Sequence, residues 1–153
     1  MYGDSCMEIF RKIIAVLGLI LLFSGMAYYF LFRSDGEKYL DQGKEYFKES
    51  KYKEALFYFE KAEEFDLGEA FKYSGTIYLE SGDPQKAIVK FDKYLHIGKP
   101  SDNDRKMLLN DLGVAYFKLN EIEKAKIYWK QAADLGNITS ANNLQELETK
   151  LVK

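Results

Sequence analysis

Few side chains in this sequence are equipped for chemistry, and they do not converge. There is one histidine, His96, and one cysteine, Cys6. A single histidine excludes a His-rich metal centre and most His-based catalytic sets. A single cysteine excludes a disulfide framework and a cysteine zinc cluster. His96 falls near the end of an expected helix, where a cation is mildly favourable. Ser101, Asp102 and Asp104 are too few to enclose a divalent ion and suit a helix N-terminus instead. Asn137-Ile138-Thr139 matches a glycosylation acceptor, and the Gly136-Asn137 pair reads equally well as a turn. The sequence has no Gly-rich phosphate loop, no nucleophile elbow and no metal-spaced His pair. Its 12 Tyr and 11 Phe could stack bases only beside a basic groove. A net charge of -2 and a pI of about 5.6 provide no such field. The expectation is therefore no catalytic residue, no cofactor, no metal and no nucleic-acid partner.

What must position the remaining residues is first a membrane-like segment. Residues 13–32, IIAVLGLILLFSGMAYYFLF, contain no charge over 20 residues. At 1.5 Å per residue that spans roughly 30 Å, a bilayer's hydrocarbon core. Arg11 and Lys12 precede it, Arg33 follows, and Tyr28 and Tyr29 sit near its far end, as interfacial rings do. The expected organisation is a tail over 1–12, a transmembrane helix over 13–32 and a linker over 33–36. Two other readings exist, a signal peptide cut after Ala27 and a buried core helix. Tyr28-Tyr29-Phe30-Leu31-Phe32 prolongs the apolar run past that cut and favours retention. The cations before the span favour a cytoplasmic N-terminus, with the body extracytoplasmic, periplasmic in a bacterium. The body has no cysteine, which suits an oxidising compartment. Cys6 is expected to be a free thiol on the tail.

The body, with 20 basic and 22 acidic residues over 33–153, repeats itself. Blocks beginning at Tyr39, Phe71 and Leu109 share five positions in register. Glycine stands at the fourth residue onward (Gly43, Gly75, Gly113) and tyrosine at the seventh (Tyr46, Tyr78, Tyr116). Alanine stands at the sixteenth (Ala55, Ala87, Ala125) and an aromatic ring at the twentieth (Phe59, Phe91, Trp129). The periods of 32 and 38 residues indicate a solenoid of helical hairpins. The expected hairpin turns are Glu49-Ser50-Lys51, Ser81-Gly82-Asp83 and Leu119-Asn120-Glu121. Gly82 and Asn120 tolerate the left-handed conformation that ends a helix, Asp83 can cap the next, and Pro84 suits its first position. Ser101 is the expected cap after the loop that absorbs the longer period. Small Gly and Ala side chains should admit close helix contacts, with the large rings filling space between hairpins. A stripe of Ala141, Leu144, Leu147 and Leu151 predicts a capping helix over 139–151.

This pattern resembles the tetratricopeptide repeat (TPR) family, with repeats at about 36–67, 68–100 and 106–137 inside a domain over 37–153. The third block, AKIYWKQAADLGNITSANNL, is similar to the Sel-like variant of that family. Departures are Tyr39, Phe71 and Leu109 at the family's Trp position, Gln42 and Ser74 at its Leu position, and Tyr94 where Ala is preferred. The resemblance implies an all-α, right-handed solenoid of three hairpins with a C-terminal cap, preceded by one transmembrane helix. It also implies a concave peptide-binding groove lined by Leu40, Lys44, Phe47, Lys72, Tyr73, Thr76, Leu79, Asn110, Asp111, Val114 and Phe117. Relatives that clamp a chaperone's C-terminal carboxylate use Lys, Asn and Arg across three repeats. The matching positions here are Leu40, Lys44, Tyr73, Met107 and Asp111, so that clamp is absent and Asp111 would repel a carboxylate. The expected function is a membrane-tethered protein–protein interaction module, a scaffold, assembly or chaperone-like factor with a protein or peptide partner. The alternatives are a secreted regulator and a self-assembling protein whose second copy covers the groove.

Overall fold

The computed structural model describes residues 3–151, with side chains for residues 11–28 and 35–149. The side chains of Cys6, Tyr29, Arg33 and Leu151 lie outside the described residues. All seven elements are helices: α1 (Gly3–Lys48), α2 (Tyr52–Glu63), α3 (Gly68–Glu80), α4 (Pro84–Ile97), α5 (Asp102–Lys118), α6 (Ile122–Asp134) and α7 (Ile138–Leu151). The chain divides into two compact units between Asp35 and Gly36. Residues 33–36, expected as a linker, lie within α1. No proline interrupts that stretch, and its one glycine costs a helix only about 1 kcal/mol.

In the first unit, Arg11–Tyr28 is long and apolar enough to cross a membrane. None of that window is buried, and Leu21, Leu22 and Phe23 are exposed.

In the second unit, the end of α1 pairs with α2, α3 with α4, and α5 with α6, and α7 packs on α6 and α5. Each hairpin turn is built alike. The carbonyls of Tyr46, Tyr78 and Tyr116 each accept the N–H five residues on, at 2.9 Å, from Lys51, Asp83 and Glu121. This closure needs a left-handed residue just before the donor, and Ser50 (φ 58°), Gly82 (φ 85°) and Asn120 (φ 61°) supply it. Gly82 and Asn120 are as expected, while Ser50 takes the conformation without a side chain that favours it. Asp83 caps α4 by accepting from Lys86 N–H, with Pro84 at the first position. Ser101 caps α5 by accepting from Asp104 N–H at 3.1 Å.

The repeated glycines have one shared reason. A Cβ on Gly43 or Gly75 would lie 2.6 or 2.5 Å from the Phe59 or Phe91 ring, and one on Gly113 would lie 2.3 Å from Trp129. The ring at the twentieth position therefore sits on the glycine at the fourth, inside its own hairpin. The tyrosines behave similarly, Tyr46 stacking on Tyr58 at 5.3 Å and Tyr116 on Tyr128 at 5.2 Å. The large rings, expected between hairpins, thus also fill the space inside them. Phe59 does both, since it also stacks on Tyr73 of α3 at 4.9 Å.

The departures from the repeat pattern are accommodated too. Ser74, at a Leu position, is fully buried, and its hydroxyl lies 2.6 Å from Glu63 Oε1 and 3.0 Å from the Ala70 carbonyl, its single proton shared between the two acceptors. Glu63 also pairs with Lys90, so three helices share one partly buried polar network. Tyr94, at an Ala position, is buried against Gly98, whose missing Cβ leaves room for the ring.

The closing helix differs in its face. Leu147 is buried and Leu144 half-buried, but Ala141 is exposed and Ser140 is fully buried in its place. Asn137 accounts for the shift. Its Oδ1 accepts from Ser140 N–H at 2.9 Å, a helix cap, and its Nδ2 donates to the Lys106 carbonyl at 3.2 Å. The Asn137 amide is thus committed to structure on both sides.

Candidate functional site

The first helices of the three hairpins present their open faces together. Between them lies a pocket of about 260 Å³. Phe47 comes from the last turn of α1, Lys72, Tyr73 and Thr76 from α3, and Asp104, Met107, Leu108 and Asp111 from α5, with buried Phe91 of α4. The spacing on α5 is three, one and three residues, one helix face. Tyr73 is fixed by its stack on Phe59 and its edge contact with Phe47 at 5.2 Å. A second pocket of about 210 Å³ is lined by Val114, Phe117, Trp129, Asn143, Glu146 and Leu147, where α7 joins α5 and α6.

Charge is arranged unevenly along this surface. Lys44 Nζ pairs with Glu69 Oε2 at 2.8 Å, and Lys72 Nζ with Asp104 Oδ1 at 3.2 Å and Glu69 Oε1 at 4.0 Å. Burial pulls the Lys72 ammonium down, but the Asp104 hydrogen bond and neighbouring groups outweigh it, and its pKa is raised. Asp104 is held below its usual range, chiefly by the Ser101 hydroxyl and then by Lys72. The aromatic faces of Tyr73 and Tyr94 also flank the Lys72 ammonium, at 5.3 and 5.8 Å from the ring centres.

Asp111 is different. Its Oδ1 accepts from the neutral amide of Asn110, at 3.2 Å. Among the described residues no Lys or Arg pairs with it. Burial pushes its carboxyl up to about 6, with Glu80 adding to the rise and the Asn110 hydrogen bond opposing it.

The eleven sequence-predicted residues divide accordingly. Phe47, Lys72, Tyr73, Thr76 and Asp111 meet in the first pocket, and Val114 and Phe117 in the second. Lys44 lies beside the first, its ammonium 5.9 Å from the Tyr73 ring centre. Leu40 and Leu79 turn inward, 8% and 9% exposed, and belong to the core clusters. Asn110 is occupied internally: its Oδ1 accepts from Ser140 at 2.8 Å, and its carbonyl accepts from Trp129 Nε1 at 3.2 Å. Leu40, Leu79 and Asn110 therefore support the groove rather than line it. The expected groove list left out Asp104, read only as a helix N-terminal acid, Met107, named only at a clamp position, and Leu108, as well as Asn143 and Glu146 of the closing helix. The first three were signalled by their helical spacing to Asp111.

No protein-family model matches the chain, and no curated protein matches it. Solved structures do. The N-terminal domain of stress-induced protein-1 (STI-1) from C. elegans superposes with a TM-score of 0.68 at 15% identity, covering 76% of this chain and 97% of that one. The first TPR of Spaghetti (RPAP3), bound to the HSP90 peptide SRMEEVD, gives 0.66 at 19% identity over 77% and 94%. The first TPR domain of human RPAP3 gives 0.64 at 20% identity over 76% and 92%. At these identities the likeness is one of fold. The helical repeat unit of this chain has a TPR-like fold, three hairpins closed by a further helix.

Proposed function

We propose that this protein is a membrane-tethered interaction module that holds a peptide segment of a partner in the groove formed by α1, α3 and α5. The observation that carries the reading is the pocket where five predicted groove residues meet, with rings, Met107 and Leu108 interspersed with Lys72, Thr76, Asp104 and Asp111. A similar domain, the first TPR of Spaghetti (RPAP3), holds a peptide, which supports a peptide as the ligand class. The apolar, exposed Arg11–Tyr28 supports the tether. Confinement to a bilayer raises the effective concentration of membrane-borne partners, so modest groove affinity suffices. The positive flank before the span favours a body outside the cytoplasm, periplasmic in a bacterium. Within this reading the chain needs no cofactor or metal, and its role is scaffold, assembly or chaperone-like factor.

The test is photo-crosslinking from Met107, which is 54% exposed and lines the pocket. A benzophenone amino acid is placed there in the full-length, membrane-embedded protein, and adducts are identified by mass spectrometry. A distinct partner crosslinked through an extended segment is the expected result. Adducts only to the same chain would replace this reading with self-assembly. Absence of adducts would move the working surface away from the groove.

A further inference from the structure

The groove's cations are already neutralised by the groove itself. Lys44 is engaged by Glu69, and Lys72 by Asp104 and Glu69. An acidic ligand would have to displace these carboxylates to reach an ammonium. The carboxylate of Asp111, in contrast, lies in the same pocket, half-buried and without a counter-charge among the described residues. Glu80, at the end of α3, adds to the negative potential it experiences. The same pocket carries the apolar side chains of Phe47, Met107 and Leu108 and the ring of Tyr73, beside the polar Thr76 and the paired Lys72 and Asp104. A long side chain with an apolar stem and a cationic end fits such a site, the stem against the rings and the head on the acid.

We propose that the groove receives a lysine or arginine side chain of an otherwise mostly apolar peptide, with its stem along Phe47, Tyr73 and Met107 and its charged head on Asp111. The inference rests on the peptide-groove reading above and specifies its partner. The raised pKa of Asp111 agrees, because a carboxylate removed from water and lacking a partner is the one a ligand cation relieves. The preference is opposite to that of a groove built to hold a carboxylate, since selection here is by repulsion of acid as well as attraction of base.

The experiment uses the full chain in lipid nanodiscs, with empty nanodiscs subtracted. The probes are fluorescein-labelled heptapeptide pools of mixed Ala, Ser and Leu, with the central residue fixed as Arg, Lys, Leu or Glu. The expected result is roughly tenfold tighter binding of the Arg and Lys pools than of the Glu pool, with Leu between. Asp111→Asn should erase the difference between the Arg and Leu pools while the Leu pool still binds, and Asp111→Glu should retain it. Circular dichroism of each variant confirms folding before binding is compared. Equal binding of all four pools, or a preference that survives Asp111→Asn, overturns the proposal and leaves the groove as a peptide site. Tighter binding of the Glu pool overturns it likewise. Binding of no pool overturns both readings.

Discussion

A glycine at the fourth position of each block is small because a ring lies on it, and the tightness of that contact sets its sensitivity. At Gly113 a Cβ would fall 2.3 Å from Trp129, so the indole must move, and its hydrogen bond to the Asn110 carbonyl must move with it. Gly113→Ala should therefore lower stability by about 1–3 kcal/mol, read as a drop in the thermal midpoint of the full chain. An unchanged midpoint would contradict the packing described here. Asp111 makes the complementary case. Burial raises its folded pKa to about 6, above the ordinary carboxylate range, so the folded state binds the proton more tightly. Its contribution to stability is most favourable below the unfolded value and declines as pH rises through that window. At pH 7 the penalty is at most about 3 kcal/mol. Asp111→Asn should melt higher than the natural chain at pH 7, with the gap closing toward pH 4. A groove residue that destabilises the fold is consistent with one kept for binding.

At the scale of elements, each hairpin is closed by a tyrosine carbonyl and a left-handed residue, and the chain between hairpins is fixed by caps. One side chain ties the closing helix at two points. Asn137 caps α7 and ties it to the Lys106 carbonyl of α5. Asn137→Ala should cost about 1–2 kcal/mol locally. Hydrogen exchange should show α7 amides opening faster while α3 and α4 keep their protection. Loss of protection throughout would mean that the cap holds the whole repeat unit together. The second pocket, where Asn143 and Glu146 of α7 face Val114 and Phe117, should be disturbed by the same change.

At the scale of the whole molecule, the chain combines one apolar helical segment with one TPR-like unit. If the segment is an anchor, the intact protein stays with membranes after alkaline carbonate extraction, and its mass includes residues before Tyr28. A mature mass beginning at Tyr28 would instead make the protein a secreted one. In sealed vesicles of known orientation, protease from the extracytoplasmic side should degrade the repeat unit and spare the segment. Protection from that side would reverse the orientation inferred from Arg11 and Lys12.

The three-fold recurrence of Gly, Tyr, Ala and an aromatic ring determined the helical hairpins, because a repeated spacing can bury a continuous core only by stacking. The same sequence located Gly82, Asn120, Asp83 and Ser101 at helix ends, since caps and left-handed turns are local chemistry. It also placed the apolar segment, which needs only length and composition. Other features depended on residues far apart in the chain. Ser74 at an apolar position made sense only once Glu63 and Lys90 were brought to it. Leu40, Leu79 and Asn110 share the helices of the groove residues but face the core or the closing helix. Lys72 and Asp104, 32 residues apart, neutralise each other, while Asp111 has no cation paired with it among the described residues. Helical spacing assigns a residue to a face. Which charges on that face remain unpaired is decided only when the helices pack together.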